Sequence, residues 1–282
     1  MQVDLKGKTA LITGASRGLG FAIAETFFKA GANLILIARN EEALKHFRDI
    51  HPSDNQSIEI IPADLGKDLT HCIRTLASKK IDILVNNAAI SGPIGPLWEN
   101  DWEHWLYALQ VNMITPIALC KALLPRMIAQ NNGRIINLSG GGATGSRPHF
   151  SAYAVAKTGL VRFTETLAEE VKSYKITVNA IAPGVMNTQI LTDIITAGKA
   201  IVGEKEYSAA FDQLQSANPL TENPAELCLF LASEISQSIN GKLISAAWDP
   251  WKSLTHYSDM LKSTDIYTLR RIVPKDRGQD WG

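Results

Sequence analysis

Tyr153 and Lys157 stand four residues apart in Ser151-Ala-Tyr-Ala-Val-Ala-Lys157, at the head of a long helical pattern. Four residues is about one helical turn, so the phenol and the ammonium share a face. A free tyrosine, with a pKa of about 10, holds its proton too tightly for exchange near neutrality. A neighbouring cation favours the phenolate, which predicts a lowered pKa and a general acid/base at Tyr153. Such pairs are common on helix surfaces, so the pair needs a second site beside it. The segment Thr13-Gly-Ala-Ser-Arg-Gly-Leu-Gly20 supplies one. It follows an apolar run and opens a helical pattern. Gly14, Gly18 and Gly20 let the backbone turn tightly and let a pyrophosphate approach the helix N-terminus. Ser16, Arg17 and Leu19 complete this expected dinucleotide turn.

The second apolar run ends Ile37-Ala38-Arg39-Asn40. A site for NAD usually carries Asp or Glu there, accepting hydrogen bonds from the adenosine ribose. Ala38 and Arg39 occupy that place instead, with Arg17 close by in the turn. An arginine fork suits the oxygens of a 2′-phosphate, which predicts a preference for NADP(H).

These residues need a scaffold. Apolar runs at 9–13, 33–38, 58–62, 81–85, 134–138 and 176–181 alternate with helical patterns at 17–30, 41–48, 67–78, 101–130 and 151–173. Continuous Ile/Leu/Val strands bracketed by helices indicate a parallel sheet covered on both faces. With right-handed crossovers this is an α/β, doubly wound, Rossmann-like domain. A helix at 222–233 and a strand at 242–244 complete it, so residues 1–245 form the dinucleotide-binding and catalytic domain.

Formal charge is zero, which gives no basis for nucleic-acid binding. Cys72, Cys120 and Cys228 are scattered and form no Cys/His cluster, so neither metal nor disulfide is expected. The start of the chain lacks an apolar signal core and no run approaches 18 apolar residues, so no membrane span is expected and the location reads as cytoplasmic. Residues 246–282 break the pattern, with Trp248, Trp251 and Trp281 beside Arg270, Arg271, Lys275 and Arg277. This extension either packs on its own or a neighbouring subunit, or forms a lid whose cations face an anionic substrate group. Trp98, Trp102 and Trp105 have helical spacing that suggests core or interface.

The chain resembles the short-chain dehydrogenase/reductase family over residues 5–244. The likeness rests on Thr13-Gly-x-x-x-Gly-x-Gly20, Asp64 after the third strand, Asn86-Asn-Ala-Ala89 after the fourth, Asn112, Tyr153-x-x-x-Lys157, and Pro183-Gly184 followed by Thr188. The resemblance implies that Asp64 contacts adenine, Asn86 steadies sheet and cofactor, and Thr188 holds the nicotinamide carboxamide. It places the cofactor also against Leu65, Asn87, Ala88, Pro183, Gly184 and Val185. Tyr153 would exchange the proton with the substrate oxygen, Lys157 would bind the nicotinamide ribose, and Asn112 would hold a water in the relay. Homodimers or homotetramers are expected by the same analogy, and residues 186–215 would form a substrate lid.

Three departures stand against the matches. The family serine, 13 residues before the tyrosine, falls at Gly140 in Asn137-Leu-Ser-Gly-Gly-Gly-Ala143. Ser139 is one place early and, by strand alternation, points away unless the strand is bulged. Backbone N–H groups of the glycine run, Thr144, Ser146 or His149 are the alternatives to it. Ala89 replaces a glycine, and Ser245-Ala-Ala-Trp248 replaces the usual end of the last strand. The resulting reading is an NADP(H)-dependent oxidoreductase moving a hydride between nicotinamide and a carbonyl or secondary alcohol. The alternatives are an NADPH-binding sensor or scaffold without turnover, and dehydration or epimerisation with the cofactor recycled.

Overall fold

Residues 3–184, 189–215 and 222–281 are described by the computed structural model. The strands are β1 (Thr9–Thr13), β2 (Asn33–Ala38), β3 (Ile58–Pro62), β4 (Ile83–Asn86), β5 (Gly133–Leu138), β6 (Ile176–Ala182) and β7 (Leu243–Ser245). They form one sheet in the order β3-β2-β1-β4-β5-β6-β7, with every pairing parallel. The helices are α1 (Gly18–Lys29), α2 (Glu41–Ile50), α3 (Leu69–Leu76), α4 (Trp102–Leu109), α5 (Thr115–Ala129), α6 (Ser151–Glu170), α7 (Gln189–Ala197), α8 (Lys199–Val202), α9 (Glu204–Gln215), α10 (Glu222–Ala232) and α11 (Ser258–Ser263).

Strand alternation divides the core. Ala10 and Ile12 of β1 and Leu34 and Leu36 of β2 pack with α1, α2 and α10, through Ile23, Phe27, Phe47 and Phe230. Leu11, Ile35 and Ile37 point the other way, toward Cys72, Leu119, Leu123, Met127 and Leu167 of α3, α5 and α6. Both faces are therefore buried, which is why these strands read as continuous apolar runs. The strand order reverses between β1 and β4, and a crevice opens beyond their carboxyl ends.

The single helix expected over 101–130 is divided. A π-helical turn, Gln110–Ile114, separates α4 from α5 and contains the buried Asn112. Pro116 has no N–H to give the carbonyl of residue 112, so the regular ladder fails there. The stretch Trp102–Ala129 is long and apolar enough to cross a membrane by composition. In this fold its apolar side chains Leu119, Leu123 and Met127 are buried against the sheet.

The C-terminal extension packs on its own chain. Trp251 is buried with its ring 5.8 Å from Phe230, and Leu254 and Leu261 join the same core. Residues 264–269 then follow the outer edge of the sheet. Tyr267 O accepts from Leu243 N at 2.8 Å, and Lys242 Nζ donates to Thr264 O and Ile266 O at 3.1 and 2.9 Å. Glu165 accepts from Leu269 N at 2.6 Å. The extension thus covers an edge strand that would otherwise present unpaired backbone groups. Arg270 pairs with Asp265 and Asp276 of the same segment. Only one of its three tryptophans is buried: Trp248 is 76% exposed and Trp281 70%. Trp98 and Trp102 are exposed too, so of core and interface they are not core. Trp251→Ala should cost about 3–5 kcal/mol of stability, read from denaturant unfolding at constant m-value.

Candidate active site

A cleft of about 810 Å³ lies at the carboxyl ends of β1, β2, β4 and β5. It runs from Arg39 and Asp64 at one end to Tyr153 and Lys157 at the other, past Gly14, Ser16, Arg17, Gly18, Leu19 and Gly20. The structure therefore brings nearly all of the expected residues into one continuous space. Leu65, Asn87, Ala88, Ser139 and Pro183 also line it. Val185 and Thr188 lie outside the described residues.

The glycine turn is built for close approach. Gly14 has a φ of +69°, and a Cβ there would stand 2.9 Å from Ala88 Cα. Gly18 has a φ of +56° with nothing within 4 Å of a Cβ position, so any side chain there would project into open space. Arg17, the residue before α1, makes no side-chain capping bond, and the first N–H groups of the helix stay available to an anion. Asn87 ties the turn to β4: its amide N–H donates to Thr13 Oγ1 at 3.0 Å and its side chain to Thr13 O at 2.9 Å. Asn86 donates to Asn137 Oδ1 at 2.9 Å, bridging β4 and β5 as expected of a sheet-steadying residue.

At the far end, Asp64 Oδ1 accepts from Gly66 N at 2.9 Å and from Tyr107 Oη at 2.6 Å. The Tyr107 ring lies on Gly66, where a Cβ would collide with it. Burial, then the Asp64 carboxylate, pushes the Tyr107 phenol up to about 12, while Arg39 acts in the opposite direction. Arg39, Asp64 and Tyr107 are therefore one cluster.

At the chemical end, Tyr153 is 5% exposed and Lys157 1%. Lys157 Nζ donates to Leu138 O at 2.6 Å and lies 5.6 Å from the centre of the Tyr153 ring. Burial pulls the lysine down to about 8. The expected lowering of the phenol does not occur. Burial pushes Tyr153 up to about 12, outweighing the opposing Arg147 cation. The phenol is thus a neutral acid with a proton to give.

Gly140, two residues past the end of β5, faces Tyr153: a Cβ there would stand on the hydroxyl and 3.0 Å from Cζ. Tyr153 fills the space that a side chain at 140 would need. Ser139 is 4% exposed and lines the same cleft, against the expectation that alternation turns it away. The strand ladder ends at Leu138, which frees the next residue from strict alternation. The Ser139 hydroxyl has no hydrogen-bond partner among the described residues. The Asn112 side chain bonds the backbone of Ile90: Nδ2 donates to Ile90 O at 2.8 Å and Oδ1 accepts from Ile90 N at 2.9 Å. It clamps the loop after β4 onto the π-helical turn.

A family model described as short chain dehydrogenase matches residues 8–198. The chain belongs to the short-chain dehydrogenase family. It is 33% identical over 243 residues to the 3-oxoacyl-acyl-carrier-protein reductase FabG of Rickettsia felis, covering 86% of this chain and 96% of the relative. It is 35% identical over 216 residues to dehydrogenase/reductase SDR family protein 7-like of Anopheles gambiae, covering 73% and 68%. A protein assigned as an NAD(P)-dependent gluconate 5-dehydrogenase from Beutenbergia cavernae, solved with NADP, superposes with a TM-score of 0.76 at 27% identity, covering 87% of this chain and 97% of that one. An NAD+-bound xylitol dehydrogenase superposes with a TM-score of 0.74 at 25% identity, covering 86% and 98%.

As a short-chain dehydrogenase, the protein is an NAD(P)-dependent oxidoreductase, and its residues fit the cofactor. The open space over Gly18 and the uncapped start of α1 suit a pyrophosphate. Three residues of this site escape sequence reasoning. Tyr107 meets Asp64 from 43 positions away, and its only trace in the sequence is Gly66, which makes room for the ring. Gln189 and Asp193, one turn apart on α7, cross the cleft mouth. Gln189 accepts from Arg17 Nη1 at 3.1 Å and donates to Asp193 at 3.1 Å, and Asp193 accepts from Ser91 Oγ at 2.6 Å. Arg17, expected at a phosphate, lines the cleft and links it to α7 through this bond. Gly198 and Gly203, both at positive φ, divide α7, α8 and α9 into short segments over the cleft.

Proposed function

We propose that the protein is an NADPH-preferring reductase of ketones or aldehydes, working reversibly on secondary or primary alcohols. The observation that carries this is the single cleft holding the glycine turn and Arg39 at one end and a buried neutral Tyr153 beside Lys157 at the other. Bound nicotinamide supplies the hydride chemistry. Tyr153 gives its Oη proton to the substrate oxygen, and Lys157 stabilises the phenolate left behind. Ser139 is the hydroxyl placed to hold the substrate oxygen in place of the residue lost at 140. Asp64, Leu65, Asn87, Ala88, Pro183, Gly184, Val185 and Thr188 complete the cofactor contacts, and Asn112 positions Ile90 of the cleft wall. The relatives' names point to ketones on sugar-derived or 3-oxoacyl chains as the substrates to try. Exposed Leu106, Ile114 and Val155 on adjoining helical segments support self-association as a dimer or tetramer.

The test is oxidation of NADPH against a panel of ketones, aldehydes and keto-sugars, with NADH in parallel. Turnover with NADPH preferred is the expected result. Arg39→Asp removes a charged donor and adds a repelling carboxylate, so NADPH preference should fall by at least about 10–100-fold and pass to NADH. Unchanged selectivity would remove the basis for the NADPH assignment. Tight NADPH binding with no consumption on any member would favour the binding-only reading that Gly140 raises.

A further inference from the structure

The loop between β5 and α6 carries one cation that no motif accounts for. The Arg147 guanidinium lies 4.0 Å above the centre of the Phe150 ring and 5.7 Å from that of Tyr153. Lys157 Nζ stands at nearly the same distance from the Tyr153 ring, 5.6 Å. The phenol is therefore attended by two cations, one from its own helix and one from the loop. Arg147 is held from α9: Nε donates to Glu206 Oε1 at 3.1 Å, and Nη2 donates to the same oxygen. Its side chain is 17% exposed, so solvent screens it weakly. The glycine run lets it lie close, with a Cβ at Gly141 standing 3.6 Å from Nη1.

We propose that Arg147, set in place by Glu206, is a second positioning cation that stabilises the charge formed on Tyr153 during proton transfer. The inference rests on the reductase reading above. In the reduction, the Tyr153 O–H bond breaks, a new O–H bond forms on the substrate oxygen, and the electron pair stays on the phenolate. No hydroxyl at position 140 shares that charge, and a buried phenolate is costly without nearby cations. The other elements packed here leave the role to Arg147 and Lys157. Apolar Leu191, Ile194 and Val202 come from α7 and α8, and α9 adds Tyr207 beside Glu206. The end of β5 brings Gly140 and Ser139, and the loop adds His149. Arg147 acts on the phenol in the direction of the phenolate, against the burial that opposes it.

The test compares Arg147→Gln and Arg147→Lys. Ultraviolet difference titration, each protein against its own Tyr153→Phe form, reads the Tyr153 phenolate without turnover. At one fixed alkaline pH below the midpoint, Arg147→Gln should lower the Tyr153 phenolate signal by on the order of tenfold, and Arg147→Lys should return most of it. The pH profile of alcohol oxidation, which needs the phenolate, should be displaced upward within the native pH range. Superimposable titrations and profiles overturn the proposal, and so does an equal shift in both variants, since a structural role is indifferent to retained charge. A wild-type protein without turnover strikes the reductase reading and leaves the titration result standing.

Discussion

Tyr153→Phe should lower kcat by about 10²–10⁴-fold, or about 2.7–5.4 kcal/mol of transition-state stabilisation, while NADPH binding persists. The ring packs among Phe150, Leu191 and Ile194, and phenylalanine keeps that packing. Only the hydroxyl is lost, so unfolding midpoints should change little. Retained activity in this variant would remove Tyr153 as the proton donor. The pH dependence has a definite sign. Burial holds the phenol near 12, so it stays protonated through the neutral range and does not limit reduction there. Lys157 is pulled down to about 8, and its charge is lost as pH rises through that value. Reduction should therefore weaken above about pH 8 through the lysine. Oxidation, which starts from the phenolate, is helped by rising pH until that same loss.

The legible parts of this molecule are those whose signal is local. Leu34-Ile-Leu-Ile37 has no polar face, which alone requires a strand covered on both sides, and β2 is found there. The glycine turn and the Tyr153/Lys157 spacing describe two halves of a site, and the sheet order brings them to one crevice. What stayed hidden depends on groups far apart in the chain. Tyr107 against Asp64 and Arg147 against Glu206 join residues 43 and 59 positions apart. The direction of the Tyr153 shift was hidden for another reason. Spacing shows that a lysine is near, whereas burial decides the sign, and burial comes from α7, α8 and α9 folding over the cleft. Trp248 and Trp281 show the converse, because large apolar side chains do not by themselves dictate burial.

Gly140→Ser reinstates the residue type that the family carries, and simple restoration would raise activity. The packing predicts a loss. A Cβ at this position would stand on the Tyr153 hydroxyl, a collision that real side chains do not tolerate. Phe150 and the apolar residues of α7 and α8 confine the ring, so relief requires moving the phenol itself or the end of β5. Displacement of a reacting group by about 1 Å costs about 10²-fold in rate, and kcat should fall by that order. Gly140→Ala separates the two contributions, since it adds the same Cβ without a hydroxyl. Equal losses in both variants identify the collision as the cause. A gain in Gly140→Ser alone would mean that the phenol can withdraw and that a hydroxyl at 140 is useful once it does. The glycine and the placement of the tyrosine are in that sense one feature. With Ser139 and Arg147 beside the phenol, changing residue 140 alone is expected to disrupt an arrangement already built around its absence of a side chain.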